Sequence, residues 1–260
     1  MAVSRPTPVL VTIDPRFRRR RIEVKRRAGR RRLRVLVGIL ILFGLTVASW
    51  VALRSPLLDV DRIELRGAAH TPRNQVLQTA GVHRGLAMVD VDEAAGARRL
   101  ARLPWIAEAR VWRAWPSTVL ISVTERVPAA VTSADGQTWA LVDRAARVLD
   151  VSATRPPGLV SIEGLGAPGP PASTLGGAAG ALRVVTALPR ALQARVTSVV
   201  ALQAGEIALK LDPHGTVRLG PPDDLGAKVR AVETVLAQVD TRNLDVLDVR
   251  LPSSPVLTRR

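Results

Sequence analysis

Three histidines, His70, His83 and His214, are the side chains best suited to acid–base or metal chemistry in this chain. They fall in predicted loops or turns, and no two stand at ligand spacing. No cysteine accompanies them, so neither thiolate chemistry nor a disulfide is open to the chain. The serines form no G-x-S-x-G or S-x-x-K arrangement that would mark an activated nucleophile. Gly164-Leu-Gly166-Ala-Pro-Gly169 reads formally as G-x-G-x-x-G. Pro170-Pro171 follow where a helix would have to open on the third glycine, so this match is read as a loop. Asp223-Asp224 are explained as charges at a helix start. No catalytic, metal or cofactor-binding residue is assigned on this basis, and none of these patterns calls for a cofactor.

The elements that would position any site begin with a membrane segment. Val35 to Leu53 are nineteen consecutive residues without a charge. As a helix rising about 1.5 Å per residue they match a hydrocarbon core of roughly 30 Å. Residues 1–34 hold thirteen lysines and arginines against only Asp14 and Glu23. Such cationic flanks stay on the cytoplasmic side, which places the bulk of the chain outside. A cleaved signal peptide has a shorter apolar run, about 7–15 residues, and the small-x-small candidate Thr46-Val-Ala48 lies inside this one. An uncleaved anchor is therefore expected. The net charge of +16 is concentrated in the basic arm. The arm could attract nucleic acid, but it carries only Phe17 for stacking, so a topology signal that touches anionic lipid is the simpler reading. Its charge density predicts no regular structure for residues 1–34.

The exported part reads as α+β, in two modules. The first, about residues 57–126, opens with a half-buried strand in which Ile63 and Leu65 alternate with charges and which ends at Gly67. Thr71-Pro72 marks a helix start and Gly81 its end. A second helix starts near Asp90 to Asp92 and is stopped by Pro104. Strands are expected at Ile106 to Arg113 and Thr118 to Glu125, across a turn at Trp115-Pro116-Ser117. Strand, helix, helix, strand, strand makes a small unit with both helices on one sheet face. Trp105, Trp112 and Trp115 are expected to pack in its core, and Arg110 and Arg113 to form a solvated face.

The second module, residues 127–260, is β-rich. Trp139 to Val142 and Ala146 to Leu149 could form a hairpin, residues 156–173 read as loop, and Leu175 to Leu192 carries a weak helical pattern. Strand-like runs follow at Val196 to Leu202, Glu206 to Leu211 and Thr216 to Leu219. Leu225, Val229, Val232, Leu236 and Val239 lie on one helical stripe. Leu244 to Leu251 alternates as a final strand, with Pro252 and Pro255 suited to an edge.

At these residues the chain resembles the FtsQ/DivIB cell-division proteins, which have a basic cytoplasmic tail, one membrane span, a POTRA domain and a β-rich domain. The segments VDRIELRGAAHTPRNQV and LPWIAEARVWRAWPSTVLISVTERVPAA carry the likeness in the first module. Within them Leu103-Pro-Trp105, Arg113, Trp115-Pro116, Glu125-Arg126 and Pro128 match the family signature. WALVDRAARVL, GTVRLG, AKVRAVETVL and LDVLDVRLP carry it in the second module. Arg144-Ala145-Ala146 departs from the usual Asp/Asn-Gly turn. The resemblance implies a non-enzymatic scaffold at the septum, in the inner or plasma membrane, whose partners are FtsB/DivIC-like and FtsL-like single-span division proteins. It further implies docking by strand addition on the last strand and its tail, through Leu247, Asp248, Val249, Arg250, Leu251, Ser253, Ser254 and Val256. Lys228, Arg230 and Glu233 of the preceding helix would flank that edge. A POTRA-bearing secretion or membrane-assembly factor, and an anchored cell-wall enzyme, stand as alternatives.

Overall fold

In the computed structural model, described for residues 15–55, 58–133, 135–239 and 241–259, a single N-terminal helix leads into two sheet-based modules. Helix α1 spans Pro15–Leu53 and contains the apolar segment Arg32–Ala52, long enough to cross a membrane. Residues 15–34 of the basic arm thus continue the helix, where irregular backbone was expected. Arginine and lysine are good helix formers, and extending an existing helix needs no new nucleus. Residues 1–14 of that arm, and the expected module start Leu57, lie outside the described residues.

The first module has the expected order. Strand β1 (Arg62–Arg66) is followed by helices α2 (Arg73–Ala80) and α3 (Glu93–Leu100), then strands β2 (Ile106–Ala114) and β3 (Thr118–Glu125). The sheet order is β1-β3-β2, with β1 parallel and β2 antiparallel to β3. Local chemistry sets the helix ends. Gly81 at φ +70° reverses the chain after α2, and its amide and that of Val82 return to the carbonyls of Gln78 and Leu77. The Asp92 carboxylate accepts from the amide of Ala95 and caps α3. Pro72, not Thr71, takes the cap position of α2. Val60, Met88, Leu100, Ile106, Val119 and Ile121 are fully or almost fully enclosed between helices and sheet.

The tryptophans are not part of that core. Trp112 and Trp115 are 38% and 50% exposed, and Trp105 is half-buried and stacked on His70 at 4.0 Å. The helices already fill the inner sheet face with aliphatic side chains, so β2 turns Trp112 to the other face. Arg110 is exposed as expected. Arg113 instead pairs with Glu93 at 2.9 Å.

The second module is one open nine-stranded sheet. Its strands are β4 (Pro128–Thr132), β5 (Trp139–Asp143), β6 (Val148–Ser152), β7 (Ser161–Glu163), β8 (Val196–Ala201), β9 (Ile207–Leu211), β10 (Thr216–Gly220), β11 (Leu244–Asp248) and β12 (Val256–Arg259). They lie in the order β12-β11-β10-β9-β8-β7-β4-β5-β6. Helices α4 (Ala178–Ala187), α5 (Arg190–Gln193) and α6 (Leu225–Leu236) supply Leu182, Val185, Leu192, Val229 and Val232 to its main core. Residues 156–173 are not all loop. Strand β7 runs through them and joins β4 to β8 by parallel pairing on both sides. At three residues, flanked by glycine and proline, it is too short to show alternation. The hairpin β5–β6 forms despite its unusual turn. Asp143 Oδ1 accepts from the amides of Ala145 and Arg147 at 2.8 Å, which supports Ala146 at φ +62°.

Candidate partner-binding edge

The last two strands decide which backbone is open to another chain. Strand β11 pairs in parallel with β10, at Thr216–Val246 and Val217–Leu247, and antiparallel with β12, at Leu247–Leu257 and Asp248–Val256. It is interior, so the expected docking strand is closed on both sides. The edge is β12, the terminal strand in the sheet order, with one rail of backbone groups unpaired among the described residues. Leu257 turns inward and packs against the main core, while Val256, Thr258 and Arg259 are exposed. An added strand would therefore find backbone donors and acceptors together with alternating side-chain positions.

Several residues expected at the site take other roles. Leu247 and Val249 are fully buried and belong to the core. Their side chains hold β11 in place and cannot meet an incoming chain. Lys228 is 3% exposed and sits on the inner side of α6, not its hydrophilic face. Its Nζ donates to the carbonyl of Pro221 at 2.9 Å and to the carboxylate of Asp223, which fixes the turn before α6. That same bond holds the Asp223 carboxyl below its usual range.

The remaining residues cluster at the connection. Arg250 Nη2 lies 2.7 Å from Asp248 Oδ2, and this hydrogen bond holds the Asp248 carboxyl below the usual carboxylate range against the opposing effect of burial. The pair braces the exit from β11. Leu251, Ser253 and Ser254 are exposed in the turn, and Val256 is 63% exposed at the start of β12. Pro252 and Pro255 occupy this connection and lie in neither strand. Arg230 and Glu233 are exposed on α6. Leu257, Thr258 and Arg259 were missed by sequence reasoning. Their only signal is a β-branched pair two residues apart after Pro255, too short to distinguish from a frayed tail.

A second arrangement joins the modules. Glu125, at the end of β3, accepts from the amides of Ala69, His70 and Thr71 at 2.9–3.2 Å, and the His70 ring lies 2.7 Å from its Oε2. Burial pushes this carboxyl up, but the bonds from His70, Thr71 and Ala69 outweigh it and leave it below its usual range. The next residue, Arg126, donates to the carbonyl of Ile106 and to Asp143 Oδ2 at 2.7 Å, thereby linking β2 of the first module to β5 of the second. Arg147 adds a bond to the carbonyl of Arg102.

Comparison with known proteins matches this architecture. The family model "POTRA domain, FtsQ-type" matches residues 58–126, and "Cell division protein FtsQ/DivIB, C-terminal" matches residues 130–250. The chain belongs to the FtsQ/DivIB family of cell-division proteins. It is 30% identical over 239 residues to Cell division protein FtsQ of Streptomyces bingchenggensis, covering 89% of this chain and 88% of that one. The FtsQ of Mycobacteroides abscessus is 31% identical over 220 residues, 84% of this chain and 68% of the relative. That of Corynebacterium glutamicum is 28% identical over 209 residues, 80% and 91% respectively. The first module is thus the FtsQ-type POTRA domain, and the α+β reading of both modules stands. The POTRA match ends at Arg126, the residue that ties the two domains together. The FtsQ/DivIB C-terminal match stops at Arg250, before β12, so the edge strand lies beyond the matched region. Among the described residues, no group of three or more His, Asp or Glu is placed to hold a metal ion.

Proposed function

We propose that this FtsQ/DivIB-family protein is a non-enzymatic divisome scaffold that holds other division proteins through the open side of β12. The observation that carries the reading is the position of β12: an edge strand with one unpaired rail, exposed Val256 and Thr258, and Leu257 anchored in the core. Strand addition there needs no catalytic group. The partners are taken to be the exported segments of FtsB/DivIC-like and FtsL-like proteins. The single apolar helix and the arginine-rich arm before it support a single-pass topology, with that arm in the cytoplasm and both domains outside, at the septum. The nine-stranded sheet is open, with edges at β12 and β6, and lends no support to a barrel-bearing assembly factor.

The test is a titration of the full chain in nanodiscs with an exported FtsB/DivIC-like segment, compared with a Val256→Lys/Thr258→Lys variant. Edge lysines obstruct pairing without touching the core. Three or four backbone bonds at about 0.5–1.5 kcal/mol each are at stake, so at least a tenfold loss of affinity is expected, about 1.4 kcal/mol. Equal binding by both proteins moves the dock away from β12. No binding by the folded parent protein removes the scaffold reading.

A further inference from the structure

We propose that the tip of the β2–β3 hairpin rests in the lipid headgroup layer, with Trp115 as its inserted ring. This rests on the reading of α1 as a membrane span. Trp115 is half exposed and contributes nothing to the POTRA core. It stands in the turn between β2 and β3, and that turn is fastened to the point where the chain enters the domain. The amides of Asp61 and Arg62 both donate to the carbonyl of Ser117, at 2.9 and 3.2 Å. Parallel pairing of Arg62 with Thr118 at the start of β1 and β3 fixes the same end.

The span enters at that end too. Its apolar segment finishes at Ala52, and Arg54 reaches Asp90 of the POTRA domain at 3.3 Å. The amide of Leu58 turns back to the carbonyl of Ser55. Nine Cα–Cα steps lead from Ala52 to Asp61, at most about 30 Å of extended chain, and the turn at Ser55 shortens that reach. The hairpin tip is therefore held on the membrane side of the domain, whereas Glu125 and the second domain lie at the other end of β3. A headgroup layer is about 5–8 Å deep, and Trp112, which pairs with Leu120, stands three residues or about 10 Å behind Trp115 along β2, so the tip alone enters the layer.

The chemistry selects the occupant. An indole ring favours the boundary where one side is apolar and the other wet. Trp50, 58% exposed near the end of α1, marks that boundary on the span itself. Arg62 at the tip is countered by Asp59 and Asp61, so the contact depends on ring burial and not on anionic lipid. A zwitterionic surface suffices.

The full chain is reconstituted in phosphatidylcholine vesicles, with and without bromine on the acyl chains. Subtracting the emission of a Trp115→Phe variant isolates the Trp115 signal, and Trp50→Phe isolates the span's own tryptophan. Bromine quenching that at least halves the Trp115 signal is expected, with Trp139 of the second domain unaffected. Quenched Trp50 with unquenched Trp115 overturns the proposal and leaves the span intact. If neither is quenched, the span reading itself fails. A blue-shifted but unquenched Trp115 places the ring against protein, a partner or a second copy, and also overturns it. Should Trp115→Phe misfold, a dye on Ser117→Cys, unique in a chain without cysteine, gives the same decision. Quenching by a headgroup spin label supports the contact, and quenching by aqueous iodide refutes it.

Discussion

Replacing Glu125 tests whether one carboxylate organises the far end of the POTRA domain. Its side chain is 10% exposed and collects three backbone amides and the His70 ring. Glu125→Ala removes every acceptor at once. Ala69 and His70 are exposed and regain water, whereas Thr71 is 8% exposed and does not. With charge-assisted bonds at about 1.5–3 kcal/mol and water recovering part of the set, the net loss is about 2–3 kcal/mol. Glu125→Gln keeps an oxygen for the three amides and gives up only the charge, at about 1 kcal/mol. For a domain of this size a urea slope near 1–1.5 kcal/mol/M turns those losses into midpoint shifts of about 1.5–2.5 M and under 1 M. The assay is urea unfolding followed by tryptophan fluorescence, to which Trp105 on His70 contributes directly. Identical midpoints for Glu125→Ala and the parent protein would refute the assignment.

The same carboxylate predicts an acid response. Its folded-state pKa lies below the unfolded value of about 4.5, so its stabilisation is full above that value and is lost as pH falls through the folded pKa. POTRA unfolding midpoints measured from pH 6 to pH 3 should fall, and fall less in Glu125→Gln. At α6, Asp223→Ala leaves the buried Lys228 ammonium with only the Pro221 carbonyl and should lower the melting temperature. Lys228→Met, which removes the charge altogether, should cost less; thermal melts of the two variants check the order. Gly67 sits at φ +86°, where a Cβ would overlap the carbonyl of Val123. Gly67→Ala should therefore cost more than the 1–2 kcal/mol of a strained backbone alone, about 3 kcal/mol or more, read as a lowered Tm of the POTRA transition.

Patterns of period two and 3.6 were enough to place β1, α2, α3, β2 and β3, because each is long enough to repeat its pattern and most lie beside a glycine, proline or aspartate with a defined backbone role. The same was true of β8, β9, β10 and α6. What stayed hidden was short or was decided by neighbours. Strand β7 has three residues and β12 four, and each exists because an adjacent strand offers it a ladder. Lys228 lies on the apolar side of α6 because Asp223 and Pro221 supply partners there, and no spacing in the sequence shows that pairing. The tryptophans were misplaced for a related reason. Aromatic type argues for burial, but the inner sheet face was already filled from α2 and α3.

The positions of the two ends of the POTRA hairpin bear on how such a scaffold would work. The Trp115 tip lies just before β3 and the exit residue Glu125 ends it, and the eight residues of that strand span about 24 Å. Between them the POTRA sheet is spanned by β2–β3 pairing from Ala114–Thr118 to Ile106–Glu125. Beyond Glu125, Arg126 bonds both to Ile106 and to Asp143, and Arg147 returns to Arg102. These bonds come from separate segments of both domains and oppose bending at the junction in more than one direction. A bend there would have to break the Arg126–Asp143 pair, whose side chains are 21% and 7% exposed. Losing one partner of so enclosed a pair leaves a charge poorly solvated. The joint therefore favours one orientation of the second domain over its POTRA domain, and a strand that docked on β12 would be presented at a set height and direction above the membrane.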